Sequence, residues 1–291
     1  MAKDSESAGV TASVVLYRHT AEQVRPLFQS LARAQALSAW AVVDNGGSAE
    51  ACALATELGG RIVTSPGNVG YGRANNLAMR ELAGQGRYHL IVNPDIRFED
   101  GVLEELCAFM DRHPETGQVM PRILYEDGTE QRLCKLLPTP FDLIVRRFLG
   151  GLGRAIFRAQ CDAYEMRDVD LSVPRQVPSL SGCFMFVRRA ALDEVGDFDE
   201  RYFMYLEDVD LCRRIGSRYQ TAFFPEVCVS HGYAKGSYAS SRLLRYHLRS
   251  AIRYFNKWGW FFDAERVRLN SRRGAIVEPE VRQGRTPVHL P

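Results

Sequence analysis

Strand and helix patterns alternate through the first 112 residues, and this alternation limits the fold more than any other feature of the chain. Short apolar segments at 12–17, 40–43, 61–64 and 89–95 are separated by segments whose apolar residues have helical spacing. Strands that alternate with helices build a parallel sheet covered by helices. We therefore predict an α/β fold with a central, mostly parallel sheet.

The second half of the chain has weaker periodicity. Strand patterns return at 183–187 and 221–224, and residues 240–258 have the pattern of an amphipathic, basic helix. We predict one principal domain over residues 1–240, followed by a basic helical extension over residues 241–291.

The charge is unevenly distributed, although the formal net charge is only +2. Residues 1–234 contain 25 Lys and Arg against 31 Asp and Glu, whereas residues 235–291 contain 12 against 4. The acidic body disfavours a nucleic-acid partner. The basic end suits an anionic partner, such as a membrane surface or a phosphorylated ligand, and a solvated basic helix is the equally open alternative.

Several classes of protein are disfavoured by composition and patterning. No apolar run reaches the roughly 18 residues that a membrane-spanning helix needs. The first ten residues lack the basic start and apolar stretch of a signal peptide. The seven cysteines are scattered without a C-x-x-C pair, which argues against a disulfide framework or a zinc knuckle. We expect a cytoplasmic protein.

Polar residues end two of the predicted strands. Asp44 follows the second strand, and Asn93-Pro94-Asp95 ends the fourth. Ligands of such sheets bind beyond the carboxyl ends of the strands, so both aspartates are candidate site residues. A carboxylate at this position could hold Mg²⁺ or Mn²⁺, whereas Asn-Pro-Asp by itself is also a common turn.

A second acidic motif, Glu207-Asp208-x-Asp210, lies among aromatic and apolar residues. Three carboxylates in four residues are costly to desolvate together, so the motif must face water, a cation or a proton-transfer role. An exposed acidic turn is the plain alternative. His231 follows a strand-like stretch and could bind a metal, move a proton or cap a loop.

The glycine-rich stretch 67–72 leads into a helix, where backbone can approach a phosphate closely. It matches neither the Walker nor the dinucleotide-binding glycine pattern. The G-x-S-x-G and H-E-x-x-H motifs of hydrolases are also absent.

Seven segments occur in a characteristic order between residues 12 and 240. They are SVVLY, VVDNGGS, GNVGYGRANNLA, LIVNPD, SGCFMFVRR, GDFDERYFMYLEDVDLCRR and VSHGYAKGS. In this order the chain resembles the family-2 inverting glycosyltransferases of the GT-A fold, and within them the bacterial rhamnosyltransferase-like branch. The resemblance implies transfer of a sugar from a nucleotide-diphosphate sugar, either dTDP-L-rhamnose or a UDP-hexose, to a hydroxyl of an acceptor.

The resemblance assigns a set of residues to the nucleotide-sugar donor. Leu16 and Arg18 depart from the family's Thr-Tyr-Asn element, and an asparagine stands where the family's Asp-x-Asp begins with an acid. The residues implied to line the donor pocket are Tyr17, Asp44, Arg73, Asn75, Asn93 and Gly182.

The resemblance also assigns the chemistry. It implies Asp95 and His231 as ligands of the Mg²⁺ or Mn²⁺ ion, which would offset charge on the leaving diphosphate. It implies Asp208 as the base that takes the proton of the acceptor hydroxyl, with Glu207 as an acceptor contact or second-choice base.

Acceptors in this branch are often glycans linked to a polyprenyl diphosphate. The resemblance therefore suggests that the basic helix meets the inner face of the cell membrane through Arg242, Arg245, Arg249 and Arg253. Two other functions remain open at this stage. One is a non-catalytic protein that binds a nucleotide sugar or a glycan, and the other is a sugar nucleotidyltransferase.

Overall fold

The first half of the chain forms the predicted parallel strands and their connecting helices. The computed structural model describes residues 9–143, 156–232 and 241–277. The first four strands are β1 (Val10–Leu16), β2 (Leu37–Asp44), β3 (Arg61–Thr64) and β4 (Tyr88–Val92). Helices α1 (Ala21–Arg33), α2 (Ala49–Glu57) and α3 (Tyr71–Glu81) connect them. These four strands pair in parallel, in the order β3-β2-β1-β4.

The second half adds antiparallel strands, so the sheet is mixed. Its strands are β5 (Ile96–Arg97), β6 (Thr116–Leu124), β7 (Arg175–Gln176), β8 (Phe184–Arg188) and β9 (Gln220–His231). The sheet continues as β4-β8-β6-β9-β5, with β7 also paired to β9. β8 runs antiparallel to both β4 and β6, whereas β6 and β9 are parallel. The predicted α/β fold with a helix-flanked central sheet is confirmed.

Apolar residues cover both faces of the sheet. Along β4, Leu90 and Val92 belong to one hydrophobic cluster, whereas Ile91 belongs to another that includes Leu211 and Ile215. This alternation is expected for a strand with helices on both faces. The remaining described helices are α4 (Val102–Arg112), α5 (Arg158–Tyr164), α6 (Arg189–Val195), α7 (Glu207–Arg218), α8 (Ser241–Trp258) and α9 (Ala264–Asn270).

The predicted basic helix is present as α8 and packs against α7 through charged and aromatic contacts. The Asp210 carboxylate, which is fully buried, accepts hydrogen bonds from Lys257 Nζ (2.9 Å) and Trp258 Nε1 (2.8 Å). The Arg213 guanidinium is buried on α7, pairs with both oxygens of Asp263 and stacks on the Trp258 ring at 4.1 Å. These contacts join α8 and the start of α9 to α7. The division into two units at residue 240 stays a prediction, and residues 278–291 lie outside the described part.

The buried Arg213–Asp263 pair generates a prediction about stability. Asp263→Asn keeps the side-chain shape and the oxygen that caps α9, but removes the buried counter-ion of Arg213, which then retains only the partly exposed Glu265 carboxylate at 3.5 Å. We expect the free energy of unfolding in urea to fall by about 3 kcal/mol or more. The matched control is Asp100→Asn, which breaks the exposed pair with Arg33 and should cost less than about 1 kcal/mol. Equal losses in the two variants would contradict the importance of the buried pair.

Candidate functional site

Two adjoining cavities lie where β1 and β4 end, and most of the predicted site residues line them. The first has a volume of about 1080 Å³ and the second of about 930 Å³. Asn93 and Tyr71 line both, so the cavities share a boundary. Of the predicted residues, the first cavity contains Tyr17, Asn93 and Asp95, and the second contains Asn93, Gly182, Glu207, Asp208 and His231.

Asp95 and His231 meet at the boundary of these cavities, although 136 positions separate them in the chain. The backbone turns after Asn93, whose carbonyl accepts a hydrogen bond from the Ile96 amide (3.2 Å). Ile96 then pairs with His231 across β5 and β9. This register places Asp95 Oδ1 at 3.3 Å from His231 Nε2.

The hydrogen bonds of His231 suit a cation ligand. Gln131 Nε2 donates to the His231 carbonyl (3.0 Å), which leaves Gln131 Oε1 to accept from His231 Nδ1 (3.0 Å). That arrangement puts the ring proton on Nδ1 and directs the Nε2 lone pair toward the Asp95 carboxylate. The Nε2 lone pair and the Asp95 carboxylate are both acceptors, so their contact is favourable only with a proton or a cation between them. Histidines that bind a metal through one ring nitrogen typically donate the N–H of the other to a neighbouring acceptor, as Nδ1 does here to Gln131.

The donor set fits a divalent cation that is shared with a ligand. Within residues 9–143, 156–232 and 241–277, no third His, Cys, Asp or Glu joins Asp95 and His231 to form a metal-binding group. A Mg²⁺ or Mn²⁺ ion bound through one carboxylate and one imidazole would therefore need further oxygen ligands from a phosphate or water.

Glu207 and Asp208 begin α7 and face the second cavity. The two residues before them, Tyr205 and Leu206, have left-handed φ angles of 71° and 64°. Such angles are strained for non-glycine residues and are common at functional sites. They turn the chain abruptly, so that the helix starts directly at the carboxylate pair, where the helix dipole favours negative charge.

Asp208 is held in one orientation by backbone amides. Its Oδ2 accepts from the Gly182 amide (2.9 Å), and its Oδ1 accepts from the Val209 amide (2.9 Å). A Cβ atom on Gly182 would lie 2.9 Å from Asp208 Cβ, so only glycine allows this approach. The Tyr71 hydroxyl donates to the Gly182 carbonyl (3.0 Å) and so fixes the next peptide group, on the other side of the Gly182 Cα atom.

Burial raises the proton affinity of this carboxylate pair. Glu207 is only 5% exposed, and its Oε2 has no hydrogen-bond partner in the described part of the chain. Burial and the neighbouring Asp208 carboxylate raise the pKa of Glu207. Burial also raises the pKa of Asp208, although the amides of Gly182 and Val209 oppose that shift. A fixed carboxylate with raised proton affinity can act as a general base.

Three predicted binding residues line neither cavity. Asp44 Oδ1 accepts from the amides of residues 46, 47 and 48 and so stabilises the turn after β2. Arg73 pairs with Glu200 on the surface. Asn75 is fully buried, accepts from Ser13 Oγ (2.8 Å) and donates to a backbone carbonyl. Their proposed contacts with a donor stay predictions.

Sequence reasoning missed other residues of the site. Asn45 lines the first cavity, accepts from the Val69 amide (2.9 Å) and donates to Asn68 Oδ1 (3.1 Å), which ties the β2 turn to the glycine-rich loop. Its position beside Asp44 in a D-N-G-G turn was an available signal. Gln131 carries no such signal, because its role depends on a contact with a residue 100 positions away.

Comparison with known proteins identifies relatives of this chain. The family described as Glycosyl transferase family 2 matches residues 14–196. An N-acetylglucosaminyl-diphospho-decaprenol L-rhamnosyltransferase of Mycobacterium tuberculosis is 30% identical over 66% of this chain and 66% of its own length. Rhamnosyltransferase WbbL of Escherichia coli is 28% identical over 65% of this chain and 71% of its own length. The chain thus spans about two thirds of these curated relatives.

Solved structures give the same fold. The crystal structure of GalNAc-T7 with UDP, GalNAc and Mn²⁺ superposes with a TM-score of 0.61 and 14% identity. The superposition covers 88% of this chain and 49% of that one. At this identity the likeness supports the GT-A-like fold alone.

The raised pKa of Glu207 generates a prediction about pH and stability. A carboxyl whose pKa is higher in the folded protein than in the unfolded chain destabilises the fold as pH rises past the unfolded value. Glu207→Gln removes this penalty. We expect the variant to gain stability relative to the natural protein between pH 5 and pH 9, on the order of 1–3 kcal/mol.

Urea unfolding across this pH range measures the effect. The control is Glu57→Gln, which replaces an exposed carboxylate on α2. A stability difference for Glu207→Gln that stays constant with pH would contradict the buried, proton-binding state of Glu207.

Proposed function

Because the chain belongs to glycosyl transferase family 2, we propose that it is an inverting glycosyltransferase that uses a nucleotide-diphosphate sugar. One observation carries the proposal. A carboxylate–imidazole pair suited to a cation and a buried carboxylate pair suited to proton transfer lie in two cavities that share Asn93 and Tyr71. Sugar transfer needs these two functions side by side, one for the leaving group and one for the acceptor hydroxyl.

The first cavity is the proposed donor site. The Tyr17 ring packs against Gly46 and remains 38% exposed, so it offers an aromatic face to a nucleotide base. Asn93 and Asp95 line the same cavity, and Asn93 also lines the second. Of the two donors implied by the sequence, dTDP-L-rhamnose is favoured over a UDP-hexose because the two relatives described above, at 30% and 28% identity, are named as rhamnosyltransferases.

Asp95 and His231 are the proposed ligands of Mg²⁺ or Mn²⁺. When bound, the cation would supply positive charge that offsets the negative charge developing on the leaving nucleotide diphosphate. Gln131 keeps the His231 ring in the required orientation and tautomer through its two hydrogen bonds.

Asp208 is the proposed base. It takes the proton of the acceptor hydroxyl while the hydroxyl oxygen forms a bond to the anomeric carbon and the bond from that carbon to the diphosphate oxygen breaks. A single displacement of this kind inverts the anomeric configuration. Glu207, which is adjacent and buried, contacts the acceptor or serves as the second-choice base.

The second cavity is the proposed acceptor site. Its lining combines the basic side chains of Arg132, Lys135, Arg167 and His247 with four acidic ones, and Arg167 pairs with Glu165. The acceptor that we propose is a glycan linked to a polyprenyl diphosphate, as the name of the mycobacterial relative describes. Such an acceptor places the reaction at the inner face of the cell membrane. None of the helices that the structure describes is long and apolar enough to span a bilayer.

The other two functions considered from the sequence are less well supported. The family match disfavours a sugar nucleotidyltransferase. A protein that only binds its ligand does not require the strained turn and the two amide contacts that orient Asp208.

Replacement of the base tests the mechanism. Asp208→Asn retains an oxygen for the Gly182 amide but cannot accept the acceptor proton. We expect kcat for sugar transfer to fall about 10²–10⁴-fold while donor affinity changes little. Steady-state kinetics measures the effect. The control variant is Asp193→Asn, which replaces an exposed carboxylate on α6. Full turnover by Asp208→Asn would overturn the assignment of the base.

Replacement of the cation ligand tests the donor site. Thermal unfolding is measured with UDP, dTDP and GDP, each with and without Mn²⁺. A nucleotide present at a hundred times its dissociation constant should stabilise the protein by about 2.7 kcal/mol. We expect dTDP or UDP to do so in a Mn²⁺-dependent manner, and Asp95→Ala to remove that dependence.

The control for the cation experiment is Asp100→Ala, which removes an exposed carboxylate five residues further along the chain. Mn²⁺-dependent stabilisation that persists in Asp95→Ala would exclude Asp95 as a ligand.

A further inference from the structure

The outward side of α8 combines positive charge with exposed apolar side chains. Arg245, Arg249 and Arg253 recur every four residues and therefore lie along one side of the helix. Leu248 and Ile252 lie beside them and are 39% and 50% exposed. We refer to these five residues as the α8 strip.

The charge of the α8 strip is not neutralised by neighbouring acids. Helix α8 contains no Asp or Glu. Among the ion pairs of the described residues, none involves the three strip arginines. Lys257, by contrast, faces inward and pairs with Asp199 and Asp210. The strip therefore presents uncompensated positive charge to its surroundings.

An exposed aromatic turn follows the end of α8. Phe261 and Phe262 are 80% and 97% exposed. Gly259 has a left-handed φ of 103°, and a Cβ atom there would lie 2.6 Å from the Phe262 carbonyl oxygen. Trp260 folds back on the helix, where its Nε1 donates to Asn256 Oδ1 (2.8 Å) and its ring lies 5.2 Å from that of Phe255. The turn is thus held by local contacts that leave the two phenylalanines pointing outward.

We propose that the α8 strip and the aromatic turn form a docking surface for an anionic lipid bilayer. This combination of arginines, exposed aliphatic side chains and aromatic rings suits both the charged headgroup region of such a bilayer and the apolar region beneath it. The guanidinium groups meet the lipid phosphates, and the aromatic rings enter the boundary between headgroups and acyl chains. This surface adds the aromatic turn and the aliphatic side chains to the arginines that the sequence indicates.

The same helix connects the docking surface to the two cavities. At its first half, Leu243 lines both cavities, Arg242 and Tyr246 line the first, and His247 lines the second. A bilayer bound along α8 would therefore lie next to the acceptor cavity. The importance of this proximity rests on the proposed function, because only a lipid-linked acceptor requires the bilayer to lie next to the cavity.

Vesicle sedimentation tests the docking surface without any assay of activity. The full chain is mixed with vesicles of phosphatidylcholine alone or of phosphatidylcholine with phosphatidylglycerol. We expect binding to the anionic vesicles that weakens as salt is added. Arg249→Gln with Arg253→Gln should weaken it about thirtyfold, or about fivefold for each arginine. Phe261→Ser with Phe262→Ser should weaken it at least tenfold.

Matched controls distinguish binding through this surface from nonspecific adsorption of the protein to vesicles. Arg25→Gln with Arg61→Gln removes two exposed arginines on α1 and β3. Val267→Ser with Ile276→Ser removes two exposed apolar side chains, which are 66% and 54% exposed. Both control pairs should bind as the natural protein does. Equal weakening in the controls, unchanged binding in the strip and turn variants, or equal binding to neutral vesicles would each overturn the proposal.

A further measurement distinguishes a bilayer from a second copy of the chain. Sedimentation velocity in the absence of lipid should give the same oligomeric state for the natural protein and for the Phe261→Ser, Phe262→Ser variant. An oligomer that dissociates in this variant would show that the turn contacts another copy, and would overturn the bilayer as its partner. Failure of sugar transfer in every assay would contradict the proposed function but would leave the vesicle result intact.

Discussion

The antiparallel pairing of β8 with β4 is the contact on which the site depends. Val92 at the carboxyl end of β4 lies opposite Phe184 at the beginning of β8, and the Asn93 amide donates to the Cys183 carbonyl (2.9 Å). A parallel strand at this position would put its first residues at the far edge of the sheet. The reversal instead brings Gly182 beside Asn93, and Gly182 in turn holds Asp208. One strand pairing therefore joins the proposed donor half of the site to the proposed acceptor half.

The three acids at the start of α7 have two different roles, since two are proposed to take part in the reaction and the third stabilises the structure. Glu207 and Asp208 face the cavity, whereas Asp210 is buried against α8, is neutralised by Arg214 and Lys257, and accepts a hydrogen bond from Trp258. The helix that carries the proposed base is thereby fixed to the helix that carries the proposed bilayer surface. The strain of the turn before Glu207 is tolerated because α8 holds both sides of it, through Ser250, which donates to the Met204 carbonyl, and through the contacts of Asp210.

Local patterns predicted the first half of the fold well, since each β-strand and helix there is also a contiguous pattern of apolar residues. The glycine-rich stretch 67–72 was expected to precede a helix, and α3 begins within it, at Tyr71. It did not identify β6 or the reversal at β8, because strand direction and order depend on pairing between distant segments. The resemblance assigned Asp95 and His231 to one metal site; the structure places their side chains 3.3 Å apart, and their role as cation ligands stays a prediction. It did not anticipate Gln131, whose role depends on long-range contacts with His231.

The central claim is that the two cavities act as one site for direct displacement at an anomeric carbon. The most direct test is the configuration of the product. The purified chain is incubated with Mn²⁺, a panel of dTDP-, UDP- and GDP-sugars and a prenyl-diphosphate-linked N-acetylglucosamine acceptor, and the new linkage is determined by NMR. Our account predicts one accepted donor and a product with inverted anomeric configuration. A product that retains the donor's configuration would contradict a single displacement with Asp208 as the base.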